Sequence, residues 1–275
     1  MLARMVNLAV RPRSLALQPF IKKFHYHEMS FPFGLERILP SGGAHLMINM
    51  AEDQFRTYSG AAGECRHSSR GAVLAGPHDQ PTILDTGEFQ WLIAVEFTMG
   101  GAAPFFPLPL DELANQALGL DDVWGLDGCL LREQLLEAPT PLQKFAFLES
   151  ALCAHFRANR DPGMDLAVKL LSDGQSVRST GVRLGLLPRT FTRKFRDHVG
   201  LTPKRFARVR RLQRALRLLR ATPTLDWCEL AACFDFSDQA HFIHDFHDLT
   251  GITPTAYKPA SPQRGNHVPI PRKSS

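Results

Sequence analysis

Two stretches of this chain repeat one pattern. Residues 181–203 are GVRLGLLPRTFTRKFRDHVGLTP, and residues 231–254 are AACFDFSDQAHFIHDFHDLTGITP. Each copy opens on a small residue, Gly181 or Ala231, and closes on Gly-x-Thr-Pro. The early positions repeat at an offset of 50 and the later ones at 51, because the second copy carries one extra residue. The repeat predicts two units with the same local fold.

Each copy has the features of a helix-turn-helix. A small residue allows a short first helix to approach a second one closely, and apolar rings four residues apart share one face of that second helix. The closing Gly and Pro end the second helix and open the next element. The opposite face of the second helix is free to enter a DNA major groove. The residues predicted to build the two units are Gly181, Phe191, Phe195, Ala231, Phe236, Phe242 and Phe246.

Residues 163–258 resemble the DNA-binding domain of the AraC/XylS family of bacterial transcription regulators. The resemblance rests on both copies, on the long helix predicted between them, and on the aromatic endings Phe206 and Tyr257. It implies a sequence-specific, effector-responsive regulator that reads two successive major grooves with helices 188–199 and 238–249. It also implies double-stranded DNA and RNA polymerase as partners, and activation as the commoner mode.

The residues predicted to contact bases lie on the outer faces of these two helices. The paired donors of Arg match guanine O6 and N7, and Gln matches adenine N6 and N7. An alternative for each arginine is a phosphate contact, which positions the protein without specifying sequence. By resemblance the base-reading positions of the first copy are Arg189, Thr192 and Arg193, and those expected to face DNA in the second are Gln239, His241 and His244.

Both copies depart from the family pattern. An Arg commonly stands where the second copy has His244, and a Gly where it has Asp235. Asp245 and Asp248 add negative charge on the same helix. We therefore expect the second copy to hold DNA less strongly than the first. In the first copy Leu187 stands where Ser or Thr usually caps the helix, which costs about 1 kcal/mol of local stability.

Charge is distributed unevenly along the chain. Residues 1–160 hold 13 Lys and Arg against 17 Asp and Glu, whereas residues 178–220 hold 14 against one acid. A block this basic favours a polyanion such as DNA, although a solvated helix face is the simpler alternative. The arginines predicted to contact phosphate are Arg196, Arg205, Arg208, Arg210 and Arg211. For the last four of these, contact with the acidic N-terminal domain is the alternative.

The N-terminal part is predicted to be mostly β up to residue 108. Turn residues recur between short apolar runs such as residues 45–50 and 91–97, which indicates a small barrel or sandwich. In the family this position often holds a cupin-like domain that binds an effector. We expect residues 109–128 to begin as a helix over residues 110–118 and to continue as a loop, and we expect two more helices over 129–158, with Thr140 as a helix cap. An apolar stripe on the last helix would either pack on the β domain or form a homodimer.

The predicted fold is therefore α+β with two domains. An N-terminal, mostly-β, cupin-like domain ends in helices, and an all-α domain with two helix-turn-helix units joined by a long helix follows. The predicted segments are a flexible arm at 1–13, the β-rich sensor or assembly domain at 14–158, the double helix-turn-helix domain at 163–258 and a disordered tail at 259–275.

Other function classes have weaker support in the sequence. His25 and His27 would lie on the same face of a strand. His45, His67 and His78, with Glu28 or Glu96, could complete a set of metal ligands. The alternative function is therefore a metal-dependent cupin-like enzyme fused to a DNA-binding module. We predict no cofactor, no metal site and no enzymatic activity. Five cysteines without Cys-x-x-Cys spacing, no membrane span and no secretory signal indicate a cytoplasmic protein.

Overall fold

A computed structural model of the chain describes residues 6–59, 64–157, 161–222, 233–234, 239–261 and 264–271. In these residues a β-rich N-terminal part precedes a helical C-terminal part, so the predicted α+β class is confirmed. No described helix is long and apolar enough to cross a membrane.

Two antiparallel sheets build the β-rich part. The strands are β1 Val6–Val10, β2 Ile21–Glu28, β3 Leu35–Ile38, β4 His45–Asn49, β5 Phe55–Ser59, β6 Glu64–Ser69, β7 Ala72–Ala75, β8 Thr82–Asp85, β9 Trp91–Phe97, β10 Ala117–Gly119 and β11 His267–Ile270. The first sheet has the order β1-β2-β9-β4-β7-β10, and the second has the order β11-β3-β8-β5-β6. Neighbouring strands in both sheets pair antiparallel.

Successive side chains of β4 point to opposite faces of the first sheet. Leu46 and Ile48 are fully buried and join a core formed with the helices that follow the sheets. His45 and Met47 point the other way, toward the second sheet, because successive side chains of a strand alternate between faces. Phe55 of β5 packs there with residues of the first sheet. The two sheets therefore face each other, which confirms the predicted sandwich or barrel.

Eight helices are described. They are α1 Leu120–Trp124, α2 Leu126–Glu137, α3 Pro141–His155, α4 Pro162–Ser172, α5 Val177–Arg183, α6 Pro188–Val199, α7 Pro203–Ala221 and α8 Gln239–Thr250. Short 3-10 helices lie at Thr86–Phe89, Ala103–Phe105, Leu110–Leu113 and Pro254–Ala256. The two predicted helices of residues 129–158 correspond to α2 and α3, and the predicted cap is confirmed because the Thr140 side chain accepts from the Gln143 backbone N–H.

Helices α2 and α3 cover the outer face of the first sheet. Phe145, Leu148 and Leu152 of α3 are buried there, and the Phe145 ring stacks on Phe24 of β2 with centroids 5.8 Å apart. Of the two alternatives for the apolar stripe, packing on the β domain is the one the structure shows.

Three segments differ from the sequence expectation. The flexible arm at 1–13 is wrong for Val6–Val10, which pair with β2. The helix predicted over residues 110–118 is also wrong, because the chain makes one 3-10 turn, reaches a positive φ of 60° at Asn115 and then pairs with β7 as β10. The disordered tail at 259–275 is wrong for His267–Ile270, which pair with β3. In each case a long-range strand pairing satisfies backbone groups that local propensity leaves open.

The helical part has two apolar cores that share α7. The first core joins α4 and α6 to the beginning of α7 at Phe206. The second joins the later turns of α7 to α8 and to Tyr257, and it also includes Leu39 from the end of β3 and Val268 of β11. The second core is therefore continuous with the second sheet, and the helices are held against the β-rich part.

Candidate nucleic-acid interface and the cavity behind it

The first reading helix, α6, separates an apolar face from a basic one. Phe191 and Phe195 are buried in the first core with ring centroids 5.7 Å apart. Arg189, Thr192 and Arg193 are exposed, and neither arginine has an ion-pair partner among the described residues. The three predicted base-reading side chains of this copy thus lie on the surface and are available to a partner.

The ends of α6 are set by the residues that the repeat predicts. A Cβ on Gly181 would lie 3.4 Å from the Phe191 ring, so the small residue stands where α5 and α6 approach closely. Gly200 caps the C-terminus of α6 with a left-handed φ of 88°. At the other end Leu187 makes no side-chain cap hydrogen bond, as the sequence predicts.

The second reading helix, α8, also separates a buried apolar face from an exposed polar face. Phe242 and Phe246 are buried with ring centroids 5.8 Å apart. Gln239, His241 and His244 are exposed, and His244 Nε2 lies 3.5 Å from a carboxylate oxygen of Asp248. The predicted residues Ala231, Asp235 and Phe236 lie outside the described residues.

Three of the five arginines predicted to contact phosphate are held by the N-terminal part. Arg196 Nε lies 3.0 Å from Asp111 Oδ2, and Arg205 Nε lies 3.1 Å from Asp79 Oδ2. Arg210 Nη1 donates to the backbone carbonyl of Ser41 at 3.4 Å. Arg205 and Arg210 thus make the contact with the N-terminal part that was predicted as the alternative to phosphate. A phosphate contact by any of these three arginines would have to replace its bond to the N-terminal part.

The other two arginines pair with the second reading helix. Arg208 Nη2 lies 2.5 Å from Asp245 Oδ1, and Arg211 Nη2 lies 3.0 Å from Asp245 Oδ2. Arg208 also reaches Asp248 at 3.2 Å. The Asp245 side chain is only 8% exposed, so this carboxylate stabilises the packing of α8 on α7 and is not a surface charge. The charge expected to repel phosphate at Asp245 is therefore neutralised inside the protein.

A single loop of the N-terminal part contacts both helix-turn-helix copies. This bridging loop, residues 76–81, connects β7 to β8. A Cβ on Gly200 would collide with the Pro77 ring, and a Cβ on Gly251 would lie 3.5 Å from the Pro81 ring. These two glycines end α6 and α8 at equivalent positions of the repeat. Between them, Asp79 pairs with Arg205.

Hydrogen bonds fix the bridging loop and a second contact on α7. Asp79 is buried, its Oδ1 accepts from Asn115 Nδ2 at 2.7 Å, and its backbone N–H donates to Asn115 Oδ1 at 3.0 Å. Two turns further along α7, Gln213 Nε2 donates to the backbone carbonyl of Pro40 at 2.7 Å. The long connecting helix is thus attached to the β-rich part at two places.

A cavity of about 400 Å³ lies between the two sheets, next to both attachments. Its wall includes Pro40 and Ser41, which accept hydrogen bonds from α7, and His78, Gln80 and Pro81 of the bridging loop. The volume lies within the range of small-molecule binding sites. A ligand in this cavity would touch the same segments that hold the DNA-binding helices.

Two histidines of the cavity wall are kept neutral at pH 7. Burial lowers the pKa of His45 to about 4, although the Glu96 carboxylate opposes this shift. Burial also lowers the pKa of His78, against the effect of its hydrogen bond to the Gly76 carbonyl. Both imidazoles can therefore donate or accept hydrogen bonds without carrying charge.

The histidines of the predicted metal alternative do not converge. His25 Nε2 bonds to Glu96 at 3.1 Å, and His27 Nε2 bonds to the Phe89 carbonyl, whereas His45, His67 and His78 line the cavity. Across the described residues no group of three His, Cys, Asp or Glu side chains is arranged to hold a metal ion. The described cysteines, Cys65, Cys129, Cys153 and Cys233, are free thiols, and Cys228 lies outside the described residues.

The sequence did not indicate the residues that attach the two parts to each other. Asp79, Asp111 and Asn115 stand in turns, and Gln213 is one polar residue on a long basic helix. The one indication in the sequence was charge: residues 1–160 have more acidic than basic side chains, whereas residues 178–220 are strongly basic. This difference indicated that the two parts contact each other but not which residues form the ion pairs.

Comparison with known domain families identifies the helical region. Residues 181–260 match the family described as a helix-turn-helix domain, which is of the AraC type. Residues 10–119 match a domain of unknown function, DUF6597. The resemblance to AraC/XylS regulators is thus confirmed. No curated protein matches the chain.

The chain is also similar to solved structures of ToxT from Vibrio cholerae. ToxT from strain O395 aligns over 85% of this chain and 95% of its own, at 10% identity and a TM-score of 0.42. A ToxT structure described as bound to an unsaturated fatty acid aligns over 90% and 96%, at 10% identity and a TM-score of 0.42. One bound to (E)-4-(8-methylnaphthalen-1-yl)but-3-enoic acid aligns over 85% and 96%, at 10% identity and a TM-score of 0.45.

Proposed function

Because residues 181–260 carry an AraC-type helix-turn-helix DNA-binding domain, we propose that this chain is a transcriptional regulator whose DNA binding responds to an effector in the cavity between the sheets. The observation that carries the proposal is the bridging loop, which lines the cavity and contacts the ends of both reading helices. A regulator accounts for these features, whereas a metal-dependent enzyme has no supporting cluster among the described side chains.

In the proposed complex α6 makes the dominant base contacts. Arg193 and Arg189 are exposed cations without internal partners in the described structure, and Thr192 lies between them on the same face. Each bidentate contact of an arginine with guanine discriminates against a wrong base by about 1 to 3 kcal/mol. The first copy therefore supplies most of the sequence specificity.

The second copy makes the weaker contribution. Gln239, His241 and His244 are the side chains that would reach bases in the next major groove. His244 lies beside Asp248, and Asp245 and Asp248 together engage Arg208, so this helix presents little net positive charge to phosphate. Its role is to complete the footprint after the first copy is bound.

The effector acts through the attachments of α7. Arg205, Arg210 and Gln213 bond to segments that line or adjoin the cavity. A ligand that shifts the bridging loop would change the position of both reading helices and free Arg205 for phosphate. Such a ligand alters DNA affinity only to the extent that it binds the two arrangements differently.

Further partners follow from the resemblance. Contact with RNA polymerase and activation are proposed on that ground alone. A homodimer would match paired half-sites, and light scattering with and without DNA would detect it. The predicted domain limits, 14–158 and 163–258, remain proposals that limited proteolysis can test.

The test is fluorescence anisotropy with DNA from the gene's own upstream region and a scrambled fragment, at two salt concentrations. Wild type is compared with Arg193→Ala and with His244→Ala, the equivalent position of the second copy. We expect wild type to prefer its own fragment and Arg193→Ala to lose about 2 kcal/mol of that preference. The loss for His244→Ala should stay below about 1 kcal/mol, because this helix presents less positive charge to DNA.

Salt separates specific contacts from a general attraction to phosphate. If both fragments bind equally and only salt changes their affinity, the basic block is a non-specific site and the regulator proposal is wrong. If His244→Ala costs as much as Arg193→Ala, the two copies contribute equally and the proposed ranking of the copies is wrong.

A further inference from the structure

The described wall of the cavity between the sheets is built from apolar side chains and from polar side chains other than lysine, arginine and the acids. Ile38, Met47 and Leu84 supply apolar surface, and the polar positions include histidines, amides and hydroxyls. None of the described lining residues is Lys, Arg, Asp or Glu. A site of this kind holds its ligand by apolar contact and orients it with a few hydrogen bonds.

The charged groups beside His45 in the first sheet are paired with each other. Lys22 Nζ lies 2.5 Å from Glu96 Oε1, and His25 Nε2 lies 3.1 Å from Glu96 Oε2. These residues lie beside His45 in the first sheet but are not part of the cavity wall. A ligand carboxylate would therefore meet no unpaired cation among the described lining residues, and burying an unpaired charge is costly.

The imidazole of His78 offers a hydrogen-bond acceptor to a ligand of the cavity. Its Nδ1 lies 2.6 Å from the Gly76 carbonyl oxygen, which can only accept. Nδ1 must therefore carry the proton, and in the neutral ring Nε2 is left as an acceptor. This acceptor belongs to a residue of both the cavity wall and the bridging loop, so a ligand bound to it would act directly on the loop.

We propose that the effector is an uncharged, largely apolar molecule that carries a hydroxyl group, an alcohol or a phenol, and that the hydroxyl donates to His78 Nε2. This inference rests on the proposed effector-responsive function and specifies the ligand class of its cavity. Apolar walls select the body of the ligand, the neutral imidazole selects its hydroxyl, and a wall without a cation among its described residues rejects acids.

Three probes with the same ring system test the class. Calorimetry at pH 7 measures binding of 2-naphthol, of 2-methoxynaphthalene, which lacks the donor, and of 2-naphthoate, which is an anion. We expect 2-naphthol to bind at least about fivefold more tightly than the methoxy compound, as one neutral hydrogen bond implies. We expect binding of the naphthoate to be weaker by about a hundredfold or more.

The variant His78→Phe assigns the hydroxyl contact. It keeps a ring in the wall but removes the acceptor, so the fivefold ratio between 2-naphthol and 2-methoxynaphthalene should fall to about one. The matched control is His155→Phe, at an imidazole that stacks on Trp124 of α1 and lies outside the cavity wall. This control should keep the wild-type ratio.

Several outcomes would overturn the inference. Naphthoate binding equal to naphthol binding, equal binding of naphthol and its methyl ether, or no binding of any probe to wild type would each do so. Failure of the proposed function has a different signature, because loss of sequence preference in the anisotropy assay does not depend on any probe. Binding of 2-naphthol by a protein that does not prefer its own DNA would leave the ligand class standing and reject the regulator.

Discussion

The two helix-turn-helix copies share their apolar residues and differ in their charges. Phe191 and Phe195 of the first copy occupy the positions of Phe242 and Phe246 in the second, and the ring separations are nearly equal at 5.7 and 5.8 Å. One position before the second ring, the first copy has Lys194 and the second has Asp245. The Lys194 side chain is 46% exposed, whereas that of Asp245 is 8% exposed.

This difference shows that the apolar pattern fixes the helical unit and leaves its polar positions free to change. At the same position of the repeat, the first copy has the surface cation Lys194, and the second copy has the buried anion Asp245, which forms ion pairs. The first copy turns its cations to the solvent, while the second uses an acid to hold α7 through Arg208 and Arg211. At this position the first copy therefore keeps a surface charge, whereas the second copy uses its charge for internal attachment.

The largest expected effect concerns Asp245. In Asp245→Asn the side chain keeps its shape but no longer neutralises Arg208 and Arg211, so we expect a loss of about 3 kcal/mol in the free energy of unfolding. The matched change in the first copy, Lys194→Ala, removes an exposed pair with Asp161 and should cost less than about 1 kcal/mol. Urea unfolding followed by circular dichroism measures both.

Equal losses at Asp245 and Lys194 would mean that the buried acid is no more structural than the surface cation. The comparison drawn between the two copies would then fail at the position where it is most marked.

The next effect concerns the glycines that end the two reading helices. Both have left-handed φ values, 88° at Gly200 and 67° at Gly251, so either change to Ala costs about 1 kcal/mol in backbone strain. At Gly200 the new Cβ would also meet the Leu110 carbonyl oxygen at 2.7 Å, which is backbone and cannot move aside. We therefore expect a total cost of about 2 kcal/mol for Gly200→Ala in urea unfolding.

Gly251→Ala serves as the comparison for this prediction. Its Cβ would meet the end of the flexible Arg37 side chain, which can move, so its cost should stay near about 1 kcal/mol. A larger loss for Gly251→Ala than for Gly200→Ala would show that the bridging loop holds the second copy more rigidly than the first.

The smallest effect concerns the start of the first reading helix. Leu187 precedes α6 without a cap hydrogen bond and is 75% exposed, whereas the equivalent residue of the second copy in the sequence is Ser237. Leu187→Ser supplies a side-chain acceptor for the first-turn N–H groups and should raise the melting temperature, with a gain of about 1 kcal/mol.

Leu15→Ser controls for the removal of an exposed leucine, because Leu15 is 80% exposed and does not precede a described helix. If both changes stabilise the protein equally, the gain comes from a less apolar surface and the missing cap has no measurable cost.

Much of the helical region could be predicted from local pattern. Helix α6 begins at Pro188 and ends at Val199, as predicted, because Pro, the ring spacing and Gly200 are all local signals. The arm and the tail were missed for the opposite reason. β1 and β11 are short edge strands whose pairing the local sequence does not signal, and β11 contains a proline that weakens any local strand signal further.

At the candidate DNA interface, the exposed side chains could be predicted from the sequence. The side chains that attach the helices to the β-rich part could not. Arg189, Thr192 and Arg193 follow from helical periodicity, so their exposure was predictable. The pairing of Asp79 with Arg205 was not, since it joins a turn of the β-rich part to a helix far along the chain.

A β-rich part followed by two helix-turn-helix units could be read directly from the amino-acid order, because repetition and periodicity are local and each unit encodes its own apolar face. Three features became visible only in the folded chain: one loop lies beside the ends of both reading helices, Asp245 is buried between two arginines, and a cavity whose described wall has no Lys, Arg, Asp or Glu lies behind them. Those features depend on residues that become neighbours only when distant segments pack, and no local pattern records such contacts.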